Sequence, residues 1–298
     1  MNSPAETMGL NTSEILSRVS DLRTVSRLLI LGLIFIVALV AESIWPLRQK
    51  TQPKAMRLAR NLGLATISMI FVRFAFLPFE IWAANLVTQK RLGILNLISF
   101  NSVIKISVSF LLLEYTFYVW HYLNHRLPFL WRFHNVHHVD LDLDVSTASR
   151  FHFGELAFSS LFRVGQIFLI GIDVPTLLLF ETCITAFAQF HHSNLRLPKR
   201  VDSLLATLIM TPELHGIHHS IVRNETDSNY GTIFTFWDRA HRTLKRFIPQ
   251  NEIVIGVPSY MLTMEQVFAN ILLMPFQHQR DWKLPTGEIP SRIERKSK

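Results

Sequence analysis

The sequence predicts an all-α integral membrane helical bundle carrying a cytoplasm-facing, histidine-rich di-metal domain. Three observations lead there. Only 17% of the 298 residues are charged and 49% are hydrophobic, whereas a soluble domain carries about 25% charged residues. Several apolar runs approach about 20 residues, the length at which a helix crosses a bilayer core. Ten of the 13 histidines fall into tight groups between His121 and His219.

Taken in order, residues 1–26 read as a polar leader, loosely ordered or interfacial, without a cleavable signal pattern. Residues 27–120 read as transmembrane helices. The first span is expected over Leu28–Leu47, with Trp45 as an interfacial anchor. Arg48, Lys50, Lys54, Arg57 and Arg60 follow in a short basic loop, which the positive-inside rule places in the cytoplasm. A second span is expected over Leu62–Leu86 despite Arg73 and Glu80, and a third helix over Ile94–His121 despite Lys105 and Glu114. Charges inside a span face the protein interior or snorkel. Three crossings return the chain to the cytoplasm at the first histidines.

Residues 121–279 read as one metal-binding domain with a membrane hairpin at about 156–190. The hairpin turns at Gly171-Ile172-Asp173-Val174-Pro175, a combination that breaks helices. It returns His191 and His192 to the side of the earlier histidines. His215–His219 is expected on a short helix after Thr211-Pro212, and Asn229-Tyr230-Gly231 as a turn. Residues 280–298, with Pro285 and Pro290, read as a flexible charged tail.

His121 and His125 form a pair; His134, His137 and His138 share the H-x-x-H-H spacing of His215, His218 and His219. On a helix, residues three and four apart share a face, so each group can aim several imidazoles at one point. Neutral imidazole suits zinc, copper, iron and nickel. One metal needs about three or four protein ligands, so eight or more clustered histidines point to two metals. Packing gives no reason to repeat H-x-x-H-H, whereas His241 and His278 read as ordinary hydrogen-bonded residues. The single cysteine, Cys183, excludes an intrachain disulfide and cysteine-ligated clusters. The net charge of +8 comes without a nucleic-acid recognition motif, so lipid headgroups explain it better than nucleic acid.

The ordered motifs resemble the fatty acid hydroxylase or sterol desaturase superfamily of membrane di-iron oxygenases. They are Glu114-Tyr115, His121-x-x-x-His125, Trp131-Arg132-x-His134-x-x-His137-His138, Arg150-x-His152-x-x-Glu155, His192-Ser193-Asn194, Thr211-Pro212-x-x-His215-x-x-His218-His219, Asn229-Tyr230-Gly231 and Trp237-Asp238-Arg239. The resemblance covers roughly the C-terminal two thirds of the chain; the N-terminal crossings match in hydropathy alone. It implies that His121, His125, His134, His137, His138, His152, His192, His215, His218 and His219 hold two iron ions. It further implies dioxygen as co-substrate and a lipid substrate, sterol, fatty acyl or related, that is hydroxylated or desaturated. His191 becomes a lining residue because the family's ligand directly precedes Ser-Asn. One departure stands out: family members often continue Trp-Asp-Arg with Phe-Gly-Thr, and here Ala240-His241-Arg242-Thr243 follows.

Glu155, Asp140 and Asp144 are candidates to orient ligand N–H groups, with helix capping the alternative for the two aspartates. Arg150 and Asn194 are expected to hold loops around the metals. No flavin or haem-domain motif is present, so electrons must come from a separate ferredoxin, cytochrome or reductase. The basic loop at Arg48, Lys50 and Lys54 is a candidate dock for it. Two rivals remain open at this level. A membrane zinc hydrolase would show H-E-x-x-H, and His152-x-x-Glu155 lacks that order. A non-enzymatic haem or metal-handling protein would place its histidines inside the spans.

Overall fold

The computed structural model describes residues 12–292, with side chains from residue 25 onward. Residues 1–11 and 293–298, parts of the expected leader and tail, lie outside the described residues. Helix α1 (Thr12–Ile44) already begins within the expected leader. Its Leu28, Leu29, Leu33, Ile36, Val37 and Val40 all point outward, each more than half exposed. In water such a surface would be costly; against acyl chains it is the expected one.

Helix α2 (Lys54–Ala75) and helix α3 (Leu77–Lys90) replace the single span expected over Leu62–Leu86. Pro78 sits in the first turn of α3, where its missing N–H costs nothing; within a continuous helix its ring would clash with the carbonyl of Phe74. Arg73 and Glu80 therefore stand on different helices. The next helix, α4 (Ser102–Arg126), starts later than Ile94 because a short turn at Ile94–Asn96 precedes it, and the Asn101 side chain caps its first turn. Glu114, buried on α4, accepts the backbone N–H groups of Ile233 and Phe234 and the indole N–H of Trp237. A carboxylate inside a span is thereby fully employed as a latch.

Helix α5 (Pro128–His138) turns back at once from α4. After the loop 139–149 comes the hairpin, built from α6 (Phe153–Gln166), a π-turn at Ile167–Gly171, and α7 (Val174–His192). Its tip is where the sequence places it. Gly171 (φ 95°) and Gly93 (φ 89°) lie back to back there, and a Cβ on Gly93 would collide with the Gly171 backbone. Four described helices are long and apolar enough to cross a bilayer: Val25–Ile44, Lys54–Ala75, Ser102–Arg126 and Phe153–Gly171. The chain is a membrane protein.

The remainder is built from short helices: α8 (Lys199–Leu205), α9 (Pro212–His218), α10 (Arg223–Thr226), α11 (Phe236–Ala240) and α12 (Phe268–Leu273). The Asn229-Tyr230-Gly231 turn forms, with Asn229 at φ 55°. The Asp238 carboxylate accepts the N–H groups of Tyr230 and Gly231, both at 2.8 Å. Residues 280–292 are not a free tail. Trp282 donates to the Ile221 carbonyl (2.8 Å), Arg280 pairs with Glu265, and Arg292 pairs with Glu225 and Glu252. Sequence composition misreads this stretch because its charges find specific partners.

Candidate metal centre

Two long helices and two short ones deliver ligands at one end of the bundle: the last turns of α4 and α7 and the C-terminal part of α5, with α9 closing over them. Nine imidazoles converge into two groups, within each of which one ring nitrogen per residue lies within 4.8 Å of all the others. The first group holds His121, His125, His134, His138 and His218; the second holds His137, His192, His215 and His219. All are buried except His121, which is partly so.

Each H-x-x-H-H triplet divides between the groups. At about 100° per residue, positions i and i+4 nearly eclipse while i+3 falls to one side. On α5 the eclipsed pair His134 and His138 serves the first group and His137 the second; at α9 the pair His215 and His219 serves the second and His218 the first. The two short helices thus bridge both groups reciprocally, rather than each aiming at one point.

The hydrogen bonds fix which nitrogen faces inward. Nδ1–H donates to a backbone carbonyl in His121 (to Tyr230, 2.7 Å), His137 (to Arg150, 3.3 Å), His192 (to Ala188, 2.8 Å) and His218 (to Ser228, 2.7 Å). In His134 it donates to the Glu155 carboxylate at 2.7 Å. Metal-bound histidines have this outer arrangement, which sets the tautomer and raises ligand basicity. The Nε2 atoms of these residues are consequently bare lone pairs. Yet His192 Nε2 lies 3.0 Å from His137 Nε2, both of them bare; His215 Nε2 lies 3.0 Å from His192 Nε2 and 3.1 Å from His219 Nε2, the Nδ1 atoms of His215 and His219 having no partner.

Two lone pairs that close repel unless a cation lies between them. A metal–nitrogen bond of about 2.0–2.1 Å puts ligand nitrogens at right angles about 3 Å apart. In the first group, His121 Nε2, His125 Nε2 and His218 Nε2 are buried without hydrogen-bond partners. Burial first, and neighbouring imidazoles second, hold His137, His138, His215, His218 and His219 far below the ordinary imidazole pKa. They are neutral, the ligand form. The donor set fits two nitrogen-ligated metal ions.

His152 is the exception among the expected ligands. It lies in neither group: its Nδ1 accepts the Gly154 N–H (2.9 Å) and its Nε2–H donates to the Leu272 carbonyl (3.2 Å). Both nitrogens are spent on capping α6 and anchoring α12. His191 lines the second group, its ring 4.1 Å from that of His215, and donates to the Thr232 carbonyl.

Asp140 and Asp144 do not touch the histidines. Together with Asn61 and Thr147 they surround the buried Arg57 guanidinium, at 2.8 Å from Asp140 and 2.5 Å from Asp144. Arg150 ties the Val136 carbonyl to Asn61 and Gln266, and Asn194 binds both the N–H and the carbonyl of Arg48. Both tie separate loops together through these bonds. Arg48 itself is buried on the Pro212 carbonyl and Lys54 pairs with Glu42, which leaves Lys50 as the exposed cation of the three residues named for docking. Tyr230, buried against His121, His125 and His218 (rings 5.6, 5.1 and 5.7 Å apart), and Asp227, 3.6 Å from His125 Nδ1, complete the first group's surroundings. Spacing rules carry no signal for Asp227.

The fatty acid hydroxylase family model matches residues 106–243, a stretch that contains all nine grouped histidines. An ornithine lipid hydroxylase of Rhizobium tropici is 34% identical over 128 residues, 42% of this chain and 37% of that protein. An alkylglycerol monooxygenase of Xenopus tropicalis is 28% identical over 151 residues, 50% of this chain and 31% of that protein. Human cholesterol 25-hydroxylase is 28% identical over 138 residues, 45% of this chain and 49% of that protein. The chain therefore aligns with a third to a half of these relatives' lengths. No solved structure matches.

Proposed function

The chain belongs to the fatty acid hydroxylase and sterol desaturase superfamily, and from that premise we propose that it is a membrane-bound di-iron oxygenase that hydroxylates a lipid with dioxygen and externally supplied electrons. The observation that carries this reading is the pair of all-imidazole groups, in which the Nε2 lone pairs of His137 and His192 face each other at 3.0 Å. Hydroxylation is preferred to desaturation because the three relatives are named as hydroxylases or monooxygenases.

Bound iron supplies the dioxygen reduction and C–H oxidation that side-chain acids and bases cannot perform. The protein's own residues do the rest. Backbone carbonyls and Glu155 hold the N–H groups of His121, His134, His137, His192 and His218, so these rings present fixed lone pairs without reorganising. A lipid chain would approach from the bilayer, between helices whose outer faces are already apolar, and the buried ligand shell would keep bulk water from the reacting carbon. The 45–53 connection bonds to Asp142 and Asn194 beside the histidines, so both lie on one side. By the positive-inside rule, Arg48 and Lys50 of that connection favour the cytoplasm as this side.

The test is to supply a membrane lipid extract, a chemical or protein reductant and heavy-isotope dioxygen to the purified iron-loaded protein. A lipid product carrying one heavy oxygen atom supports the proposal. Oxygen-independent activity with zinc as the sole metal would contradict it.

A further inference from the structure

Iron buried behind nine histidines must still be reduced from outside, and the structure contains a continuous aromatic connection to it. Trp131 on α5 packs against two rings of the first group, His125 (5.1 Å between ring centroids) and His138 (5.5 Å). On its other side lies Trp282, 5.9 Å away and only partly buried at the protein surface. The Arg223 guanidinium sits over both indoles, 5.5 Å from Trp131 and 4.7 Å from Trp282. Trp282 is fixed by its N–H bond to the Ile221 carbonyl. Every step from surface to ligand is thus a ring-to-ring contact below 6 Å.

Simple core filling does not account for this. Leucines would fill the volume at no cost in polar desolvation, whereas here a cation is stacked across two indoles. That cation opposes oxidation of either indole to a radical cation, so the rings serve as a tunnelling medium rather than as a radical store.

We propose that electrons from an external one-electron carrier protein reach the first histidine group through Trp282 and Trp131. The inference rests on the di-iron reading above. Each transfer oxidises the carrier by one electron and reduces one ferric ion to ferrous. Two transfers and two protons from water accompany insertion of one oxygen atom into a C–H bond and release of the other as water.

The test separates the route from the carrier's identity. In a Cys183→Ser background, Lys283→Cys, beside Trp282, is labelled with a ruthenium photoreductant. Ferric-to-ferrous conversion after a flash is then followed optically, without turnover. Trp131→Leu and Trp282→Leu should each slow conversion by about tenfold or more, equivalent to about 1.4 kcal/mol of barrier, with Trp131→Phe intermediate. Iron content and the rate of reduction by dithionite should stay unchanged, which a merely structural role would not predict for slowed injection alone. Unchanged injection in both leucine variants with iron intact overturns the route and leaves the enzymatic reading standing. Failure of the parent protein to hold redox-active iron overturns both.

Discussion

At the residue scale, the spacing of histidines was legible in the sequence, and their partition was not. The resemblance named ten ligands; nine converge, because His152 spends both nitrogens on Gly154 and Leu272. Nothing in Arg150-x-His152-x-x-Glu155 distinguishes a capping imidazole from a coordinating one, since both precede a helix. The consequence is measurable. His152→Ala should retain full metal content and cost about 1 kcal/mol of stability, the usual value of a lost N-cap. His137→Ala or His192→Ala should instead lose metal from the second group, as read by elemental analysis of purified protein. Glu155, a candidate orienting carboxylate by its place in the motif, accepts the His134 Nδ1–H at 2.7 Å. Glu155→Ala should leave the fold intact and weaken metal affinity by about 10–100-fold in competition with a chelator.

At the element scale, hydropathy located the helices but missed where they break. Pro78 divides the expected second span, and the π-turn before Gly171 closes the hairpin where glycine and proline announced it. Less visible was the brace between α2 and the loop after α5. Arg57 looked like part of a basic loop, yet it is 1% exposed and neutralises Asp140 and Asp144 within that loop. A long-range ion pair has no local periodicity to betray it. Arg57→Met should strand two buried carboxylates and destabilise the protein by about 3–5 kcal/mol, seen as a lowered unfolding temperature in detergent. A variant as stable as the parent would show that the brace is dispensable. In the stretch after Trp237-Asp238-Arg239, Arg242 adopts φ 58°, so a left-handed turn forms there without glycine, the residue that best suits it.

At the scale of the whole molecule, the division of labour follows from hydropathy. Apolar helices with outward-facing leucines, isoleucines and valines seat the protein in lipid, while their ends on one side present nitrogen donors. The bundle and the centre share their elements: α4 and α7 pack through Leu113, Leu177 and Phe180, with the Phe110 and Phe180 rings 5.4 Å apart, and carry imidazoles at their ends. Composition could reveal the membrane; it could not reveal that the charged C-terminal stretch folds back so that Trp282 and Arg292 pack on the domain. The central claim is that two metal ions sit in the two histidine groups. Anomalous diffraction at the iron edge, with elemental analysis of the same active sample, tests it most directly. The account predicts two iron peaks per chain, one inside His121, His125, His134, His138 and His218 and one inside His137, His192, His215 and His219. A single peak, or an active protein whose metal lies elsewhere, would contradict it.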